Sequence, residues 1–256
     1  MLISIPRHYQ RIQAFTIVEL LVVVAIIAIL AVLLFPVFQR VHEKAMESKC
    51  LTLIHSVYTA AMLYTNDNNG RVVPAQIGTY DASGKQIRSD LWPTQLVPYY
   101  GEKDNANARR FSCPAWQRDR KTDRYADKAA YFKNPYQWGY AINETPGYEG
   151  SSSKPPQKQN SRIRLDADGN QTAGTEFRLV TITNKKNRLF FCDSYEWHVS
   201  GSGVNPASSG DTLAAYDRHG ENRCNVIFFD GHATSLNPKQ LDTAIYDPEN
   251  FTESTD

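Results

Sequence analysis

The 256-residue chain has almost no net charge: 28 Lys plus Arg stand against 27 Asp plus Glu, a formal balance of +1. So even a balance supplies no global field for drawing in a polyanion or an acidic membrane. Catalytic signatures are missing too. There is no phosphate-binding loop, no Gly-x-Ser-x-Gly elbow and no HExxH helix, so the sequence gives no positive support to an enzyme. Cysteine is scarce, at 4 residues with no CxxC pair, which leaves neither a thioredoxin-like site nor a zinc ribbon supported. No internal repeat is present. The composition is 41% hydrophobic and 11% aromatic, too rich for a disordered chain. Its length suits one large domain, or one domain with an appendage.

Much of the aliphatic content sits in a single block near the start, VELLVVVAIIAILAVLLFPVF, and the rest is polar and Tyr-rich. From Leu20 to Phe38 run 19 uncharged residues. As a helix rising about 1.5 Å per residue, they approach the roughly 30 Å of a bilayer's hydrocarbon core. A secretory signal peptide would have a shorter apolar region and a small-residue cleavage site, whereas Pro36-Val37-Phe38-Gln39-Arg40 follows here. The fourteen residues before Phe15 carry Arg7 and Arg11 and no acid. Positive charge on that side keeps the N-terminus cytoplasmic and exports the remainder. Glu19 lies near the cytoplasmic end of the helix, where an acid costs a few kcal/mol if it reaches hydrocarbon. Either it snorkels to the interface, or it pairs with a positive group when copies of the helix pack together.

AFTIVELLVVVAIIAILAVLLFPVF (residues 14–38) resembles the N-terminus of type IV prepilins and type II secretion pseudopilins: a short basic leader, then Phe-Thr-x-x-Glu-Leu and a long apolar helix. The resemblance implies peptidase cleavage between Ala14 and Phe15, methylation of the new amine, and a role for Glu19 in meeting the N-terminal amine of a neighbouring subunit. Ala14 stands where the family usually has Gly. Pro36 falls where many members carry a helix-kinking proline. Independently of family, Pro36 removes a backbone donor and predicts a kink or local melting.

Beyond Pro36 the helix is expected to continue, because Cys50, Ile54, Val57, Ala61 and Tyr64 recur at helical spacing as one apolar face. Thr65 to Arg71 (TNDNNGR) ends it, with side chains that compete for backbone bonds and a permissive Gly70. The organisation is then a leader at 1–14, a transmembrane and assembly helix at 15–38, an amphipathic continuation at 39–68 and a globular domain at 69–256. Strand signals in that domain are Phe177 to Thr183 (FRLVTIT), Arg188 to Cys192 (RLFFC) and Asn225 to Phe229 (NVIFF). Ser151 to Ser161 and Gly201 to Gly210 read as loops.

RHGENRCNVIFFDGHA (Arg218 to Ala233) is similar to the C-terminal motif of a bacterial subfamily of prepilin-like proteins: a His, nine residues, then Asp-Gly. Here ten residues separate His219 from Asp230. KCLTLIHSVYTAAMLYTNDNNG, LWPTQLVPYYG and FSCPA (Phe111 to Ala115) resemble the same subfamily. Read physically, Asp230-Gly231 is a two-residue hairpin signal for a type I′ turn, which needs positive φ at both positions. The functional alternative groups His219, Asp230 and His232, with Asp193 or His198, as metal ligands. His219 serves equally as a buried hydrogen-bonding residue that locks the loop.

In DADGNQTAGTEF, Asp166, Asp168 and Asn170 match the first alternate ligands of an EF-hand. Gln171 replaces the required Gly and Phe177 the closing Glu, so a hairpin turn is the simpler reading. Calcium binds some pseudopilin domains, and the resemblance leaves such an oxygen site open without naming ligands; no other cofactor is expected. Four cysteines allow three connectivities. Cys50 with Cys113, and Cys192 with Cys224, are the pairs whose elements should pack together, with four free thiols as the alternative. The tract from Gly101 to Lys133 has nine basic residues against five acidic ones, interleaved with aromatics. Mixed charge of this kind reads as solvated surface rather than a nucleic-acid patch.

The expected fold is therefore α+β and pilin-like: a long N-terminal helix packed on a small antiparallel sheet with long loops. The resemblance implies a pseudopilin or minor pilin of a type II secretion or type IV pilus-like filament. Its partners would be other pilin subunits, prepilin peptidase, the inner-membrane assembly platform and lipid. It would sit in the bacterial inner membrane as a single-pass protein with a periplasmic domain, or enter a cell-surface filament. The rival is a membrane-tethered metal-dependent hydrolase or ligand-binding module that uses the segment as an anchor.

Overall fold

The computed structural model describes residues 16–101, 112–116, 139–146, 161–195, 198–199, 218–219, 223–246 and 251–253. The chain divides into two compact units, Met1–His42 and Glu43–Asp256. In the first, the described residues are the opening of helix α1 (Ile17–Asp67). Ile17–Phe35 is apolar enough to cross a membrane, with a mean hydropathy of 3.3 over 19 residues and none of them buried. The helix is continuous through position 36, so the backbone is not melted there.

In the second unit, α1 carries the single apolar face its spacing predicts. Cys50, Ile54, Val57, Ala60 and Ala61 are buried, and Glu47, one turn before Cys50 on the same face, is largely covered, accepting the Ser235 hydroxyl at 3.3 Å and pairing with exposed Lys44 at 3.0 Å. The helix ends through Asn68 and Gly70. The Asn68 amide donates to the Tyr64 carbonyl at 2.8 Å, and left-handed Gly70 (φ 78°) donates its N–H to the Thr65 carbonyl at 2.8 Å.

Two sheets follow, where the sequence suggested one. Strands β1 (Gln76–Tyr80), β2 (Gln86–Leu91), β4 (Arg162–Leu165) and β5 (Gln171–Ala173) form a half-exposed sheet in the order β2-β1-β4-β5. A short helix α2 (Trp92–Leu96), opened by Pro93, buries Trp92 and Leu96. Strands β3 (Tyr140–Asn143), β6 (Leu189–Asp193), β7 (His198–Val199), β8 (Cys224–Phe228) and β9 (Ala233–Leu236) form the second sheet, in the order β7-β3-β6-β8-β9. Helix α3 (Pro238–Tyr246) closes the described chain apart from residues 251–253. Neither sheet is purely antiparallel: β1 pairs with β4, and β3 with β7, in parallel.

Strands β3, β6, β7 and β8 of the five-stranded sheet are buried at every position, and edge strand β9 is part-buried. Phe190, Phe191, Ile227 and Phe229 join Ile54, Val57 and Trp92 in one cluster; Leu189, Cys192, Cys224, Val226 and Phe228 join Leu241 and Ile245 of α3 in another. A strand with no solvent face reads as a continuous apolar run, which is why RLFFC and NVIFF stand out in the sequence. Burying one Ile, Val or Phe side chain contributes about 1.5–3 kcal/mol. The architecture is the α+β, pilin-like one: a long helix whose apolar segment is followed by small mixed sheets.

Three local expectations need correction. Phe177 to Thr183 is not a strand: Leu179–Thr181 is a 3₁₀ turn, Val180 is exposed and Ile182 buried. Its backbone bonds go to the end of α1 instead, with Val72 N–H donating to the Phe177 carbonyl and Leu179 N–H to that of Gly70. Cys192 and Cys224 are free buried thiols. The register puts Cys192 opposite Val226, so Cys224 is its diagonal neighbour. Diagonal positions lie about 7–8 Å apart, beyond the roughly 4.4–6.8 Å usual between the Cα atoms of a disulfide. The Cys224 thiol donates instead to the Asp193 carbonyl at 3.2 Å. Finally, Asp230-Gly231 is not a two-residue type I′ turn. Gly231 N–H donates to the Phe228 carbonyl, Phe228 N–H to that of His232, and Gly231 (φ 94°) has positive φ whereas Asp230 does not. The loop is thus the three-residue kind, a turn followed by a left-handed Gly.

Gly231 also lies against α1: a Cβ there would meet the Tyr58 ring at 3.1 Å. We expect Gly231→Ala to destabilise the globular unit by about 1–2 kcal/mol, the cost of a left-handed alanine. Urea unfolding of the full chain in detergent, followed by Trp fluorescence, measures it. Asp230→Ala, at an exposed turn position, should cost less.

Candidate functional site

The described helix begins with a polar pair that the sequence reading did not interpret. Glu19 Oε2 accepts the Thr16 backbone N–H at 2.9 Å and its hydroxyl at 2.8 Å, and Thr16 Oγ1 accepts the Glu19 N–H at 3.3 Å. This is a capping box, in which two backbone donors of the first helical turn are satisfied reciprocally. The signal was Thr-x-x-Glu immediately before an apolar run. A carboxylate there also meets the positive end of the helix dipole. Ala14 and Phe15 lie outside the described residues. So do most of Gly101 to Lys133 and nearly all of the two loops at 151–161 and 201–210. Pro36 lies within α1.

The second polar assembly is buried in the globular unit. Cys50 of α1 is bonded to Cys113 across 63 residues, a closure that on loop entropy alone contributes about 4 kcal/mol. Beside it His219 Nε2 lies 3.5 Å from Cys113 Sγ and 3.2 Å from Asp193 Oδ2. Asp193 ends β6 on the face opposite Cys192, and its Oδ2 also accepts the Asn225 N–H at 3.1 Å. Arg218 is fully enclosed: its guanidinium donates to the carbonyls of Gly139 at 2.6 Å and Ser194 at 2.8 Å, and stacks over Trp116 and Tyr195. Its Nη1 is 3.9 Å from Asp193 Oδ1, an ion pair without a hydrogen bond. Tyr140 donates to the Cys50 carbonyl at 3.1 Å, and burial, then the Asp193 carboxylate, hold its phenol well above the usual range.

The residues grouped as possible ligands therefore separate into three places. His219 meets Asp193. Asp230 meets His232, with Oδ1 2.6 Å from His232 Nδ1 on an exposed turn whose imidazole stacks on Phe228. His198 meets Arg162 and Glu144. Among the described residues, no hydrogen bond or ion pair joins His219 to Asp230 or His232. Asp166 to Asn170 is a hairpin turn between β4 and β5. The Asn170 backbone N–H, then its side-chain amide, and less strongly the Asp168 N–H, donate to the Asp166 carboxylate and hold it below the usual carboxylate range.

A cavity of about 190 Å³ lies where the end of α1 approaches the four-stranded sheet, lined among others by Tyr64, Asn68, Val72, Ile77, Ile163 and Phe177. No motif in the sequence pointed to it, since its walls come from segments far apart in the chain.

The helix start decides what the chain is similar to. Residues 9–35 match the family model described as the prokaryotic N-terminal methylation motif. The match supports a type IV pilin-like protein anchored by one apolar helix, and a structural subunit rather than an enzyme. No curated protein and no solved structure matches the chain.

Of the polar groups, His198 carries a pH dependence. Arg162 Nη2 lies 2.6 Å from His198 Nε2 and can only donate, so the imidazole accepts there in its neutral form; Arg162 Nε binds Glu144 at 2.6 Å. Burial, then the Arg162 charge, push His198 down to about 3. The unfolded chain takes up this proton below its ordinary 6.5, whereas the folded one refuses it until about 3. Stability therefore falls as pH drops through that window, by about 1.4 kcal/mol per pH unit from this one group. We expect His198→Gln to show a shallower loss of stability than wild type between about pH 6 and pH 4 in urea titrations. Parallel slopes would remove His198 from the account.

Proposed function

We propose that this chain is a pseudopilin or minor pilin: a structural subunit processed by prepilin peptidase and assembled through its N-terminal helix into a type II secretion or type IV pilus-like filament. The observation that carries the reading is the methylation motif at residues 9–35, lying over a helix that, after Glu19, is apolar on every side from Leu20 to Phe35. The work of such a subunit is mechanical. Cleavage after Ala14 creates a methylated amine on Phe15, and Glu19 pairs with such an amine on a neighbouring copy. Apolar helix faces then pack as subunits leave the bilayer. A buried carboxylate without a partner is costly, so pairing selects one axial register. The partners of this reading are other subunits, the peptidase, the inner-membrane assembly platform and lipid, with the globular unit on the periplasmic side.

The capping box adds a detail. One Glu19 oxygen, Oε2, receives both Thr16 bonds, and Oε1, which takes no hydrogen bond from the described residues, would receive an amine from another copy. The same acid then closes its own helix and selects its neighbour.

Intact-mass and N-terminal peptide analysis of the protein from its native envelope tests the processing step. A chain beginning at N-methylated Phe15 is expected; a chain beginning at Met1 would reduce the segment to a plain anchor and overturn the filament reading. For assembly, Glu19→Ala should leave the urea unfolding of the globular unit unchanged and lower filament incorporation at least tenfold. Normal incorporation would rule out the role given to Glu19.

A further inference from the structure

Four side chains able to bind a metal meet in the interior of the globular unit: Cys50, Cys113, Asp193 and His219, whose ligand atoms all lie within 4.8 Å of one another. All four are buried, at 0% exposure for the first three and 6% for His219. Asp193 Oδ1 is enclosed and makes no hydrogen bond, and the nearest guanidinium nitrogen is too distant to supply one. We propose that reduction of the Cys50–Cys113 bond turns this cluster into a four-ligand zinc site, so that the chain can carry either of two cross-links at the same place.

The chemistry balances. A dithiol attacks the bond and leaves with its own two sulfurs joined; its two electrons and two protons remain on Cys50 and Cys113 as thiols. Zn²⁺ then displaces the two thiol protons to solvent. It holds two thiolates, one Asp193 oxygen and His219 Nε2, ligand types that zinc binds in closed tetrahedral sites.

Charge explains why both states suit one pocket. With the disulfide in place, the Asp193 carboxylate and the Arg218 guanidinium cancel. On zinc binding, two thiolates and a carboxylate face a dication and the same guanidinium, and the imidazole ligand is neutral. That sum is again zero. The exchange therefore leaves no uncompensated charge in a site with no water-facing side, which is the condition a buried ionic cluster must meet. The other clusters fail on chemistry. His198 already receives an Arg162 donor at 2.6 Å, and on the exposed turn Asp230 and Glu253 lie against opposite ring nitrogens of His232, so the three do not converge on one point. Because all four positions on the metal would come from protein, the site would serve structure and not hydrolysis. The proposal does not depend on the chain entering a filament.

The test uses the full-length chain in detergent, with and without a phosphine reductant, equilibrated with Zn²⁺ or Co²⁺ and desalted. Reduced protein should retain about one ion per chain and unreduced protein none. The cobalt form should show thiolate charge-transfer absorption and the intense d–d bands of tetrahedral coordination. His219→Gln and Asp193→Asn should each weaken binding about tenfold or more, while Cys192→Ser combined with Cys224→Ser should leave it unchanged. Reduced wild-type protein that stays folded by circular dichroism yet takes up no metal would overturn the proposal. So would binding that needs no reduction, survives both ligand variants, or depends on Cys192 and Cys224. Where a variant fails to fold, the wild-type cobalt spectrum decides alone.

Discussion

The globular unit depends on central strands that have no solvent face. Strands β6 and β8 are covered by α1 on one side and α3 on the other, so each of their described positions is buried. That burial provides the apolar driving force, but it also encloses the carboxylate of Asp193 and the backbone at the strand ends. An ionised group in such surroundings costs several kcal/mol unless it is paired. Arg218, His219 and the Asn225 N–H meet that demand, and Arg218 is itself held by two carbonyls and two aromatic rings. The short segment at residues 218–219 therefore has its place set by the polar end of the sheet.

Helix α1 solves a different problem in each of its parts. Residues 20–35 are apolar on every side, and in hydrocarbon only a helix satisfies its own backbone. The first turn of any helix leaves donors without intrahelical partners. Water would normally take them, and Thr16 with Glu19 does so here without water. A carboxylate at this position is thus a consequence of starting a helix near lipid as well as a feature of the methylation motif. Beyond residue 43 the same helix needs only one apolar face, and Cys50, Ile54, Val57 and Ala61 supply it.

What the sequence made legible follows from what its patterns encode. Helical spacing after Pro36 marked the buried stripe, the Asn-rich tract marked the end of α1, and two continuous apolar runs marked β6 and β8. Each is a local pattern with a local cause. Phe177 to Thr183 has equal β-propensity, yet its backbone partners lie in the turn after α1, more than a hundred residues earlier, and those bonds override the propensity. Cys192 and Cys224 were rightly placed on adjacent strands, but bonding depends on register, and a displacement of two residues makes neighbours into a diagonal pair. The meeting of His219 with Asp193 was one option among several, because only the sheet order brings β6 beside the start of β8.

That order also explains the His, spacer, Asp-Gly arrangement. His219 precedes β8 and lies at the end of the sheet where β6 finishes, beside Asp193. Asp230 and Gly231 follow β8, at its far end. The strand between them has five residues, Cys224–Phe228, a rise of about 17 Å at 3.4 Å per residue. Two side chains separated in this way cannot share a ligand. The spacing instead measures one buried strand: its first landmark contacts Asp193 at the polar end of the sheet, and its last turns the chain back against Tyr58 of α1. The motif is a constraint on how β8 is threaded, and the chemistry at its His end belongs to Asp193 and the cysteines, not to the Asp-Gly that follows.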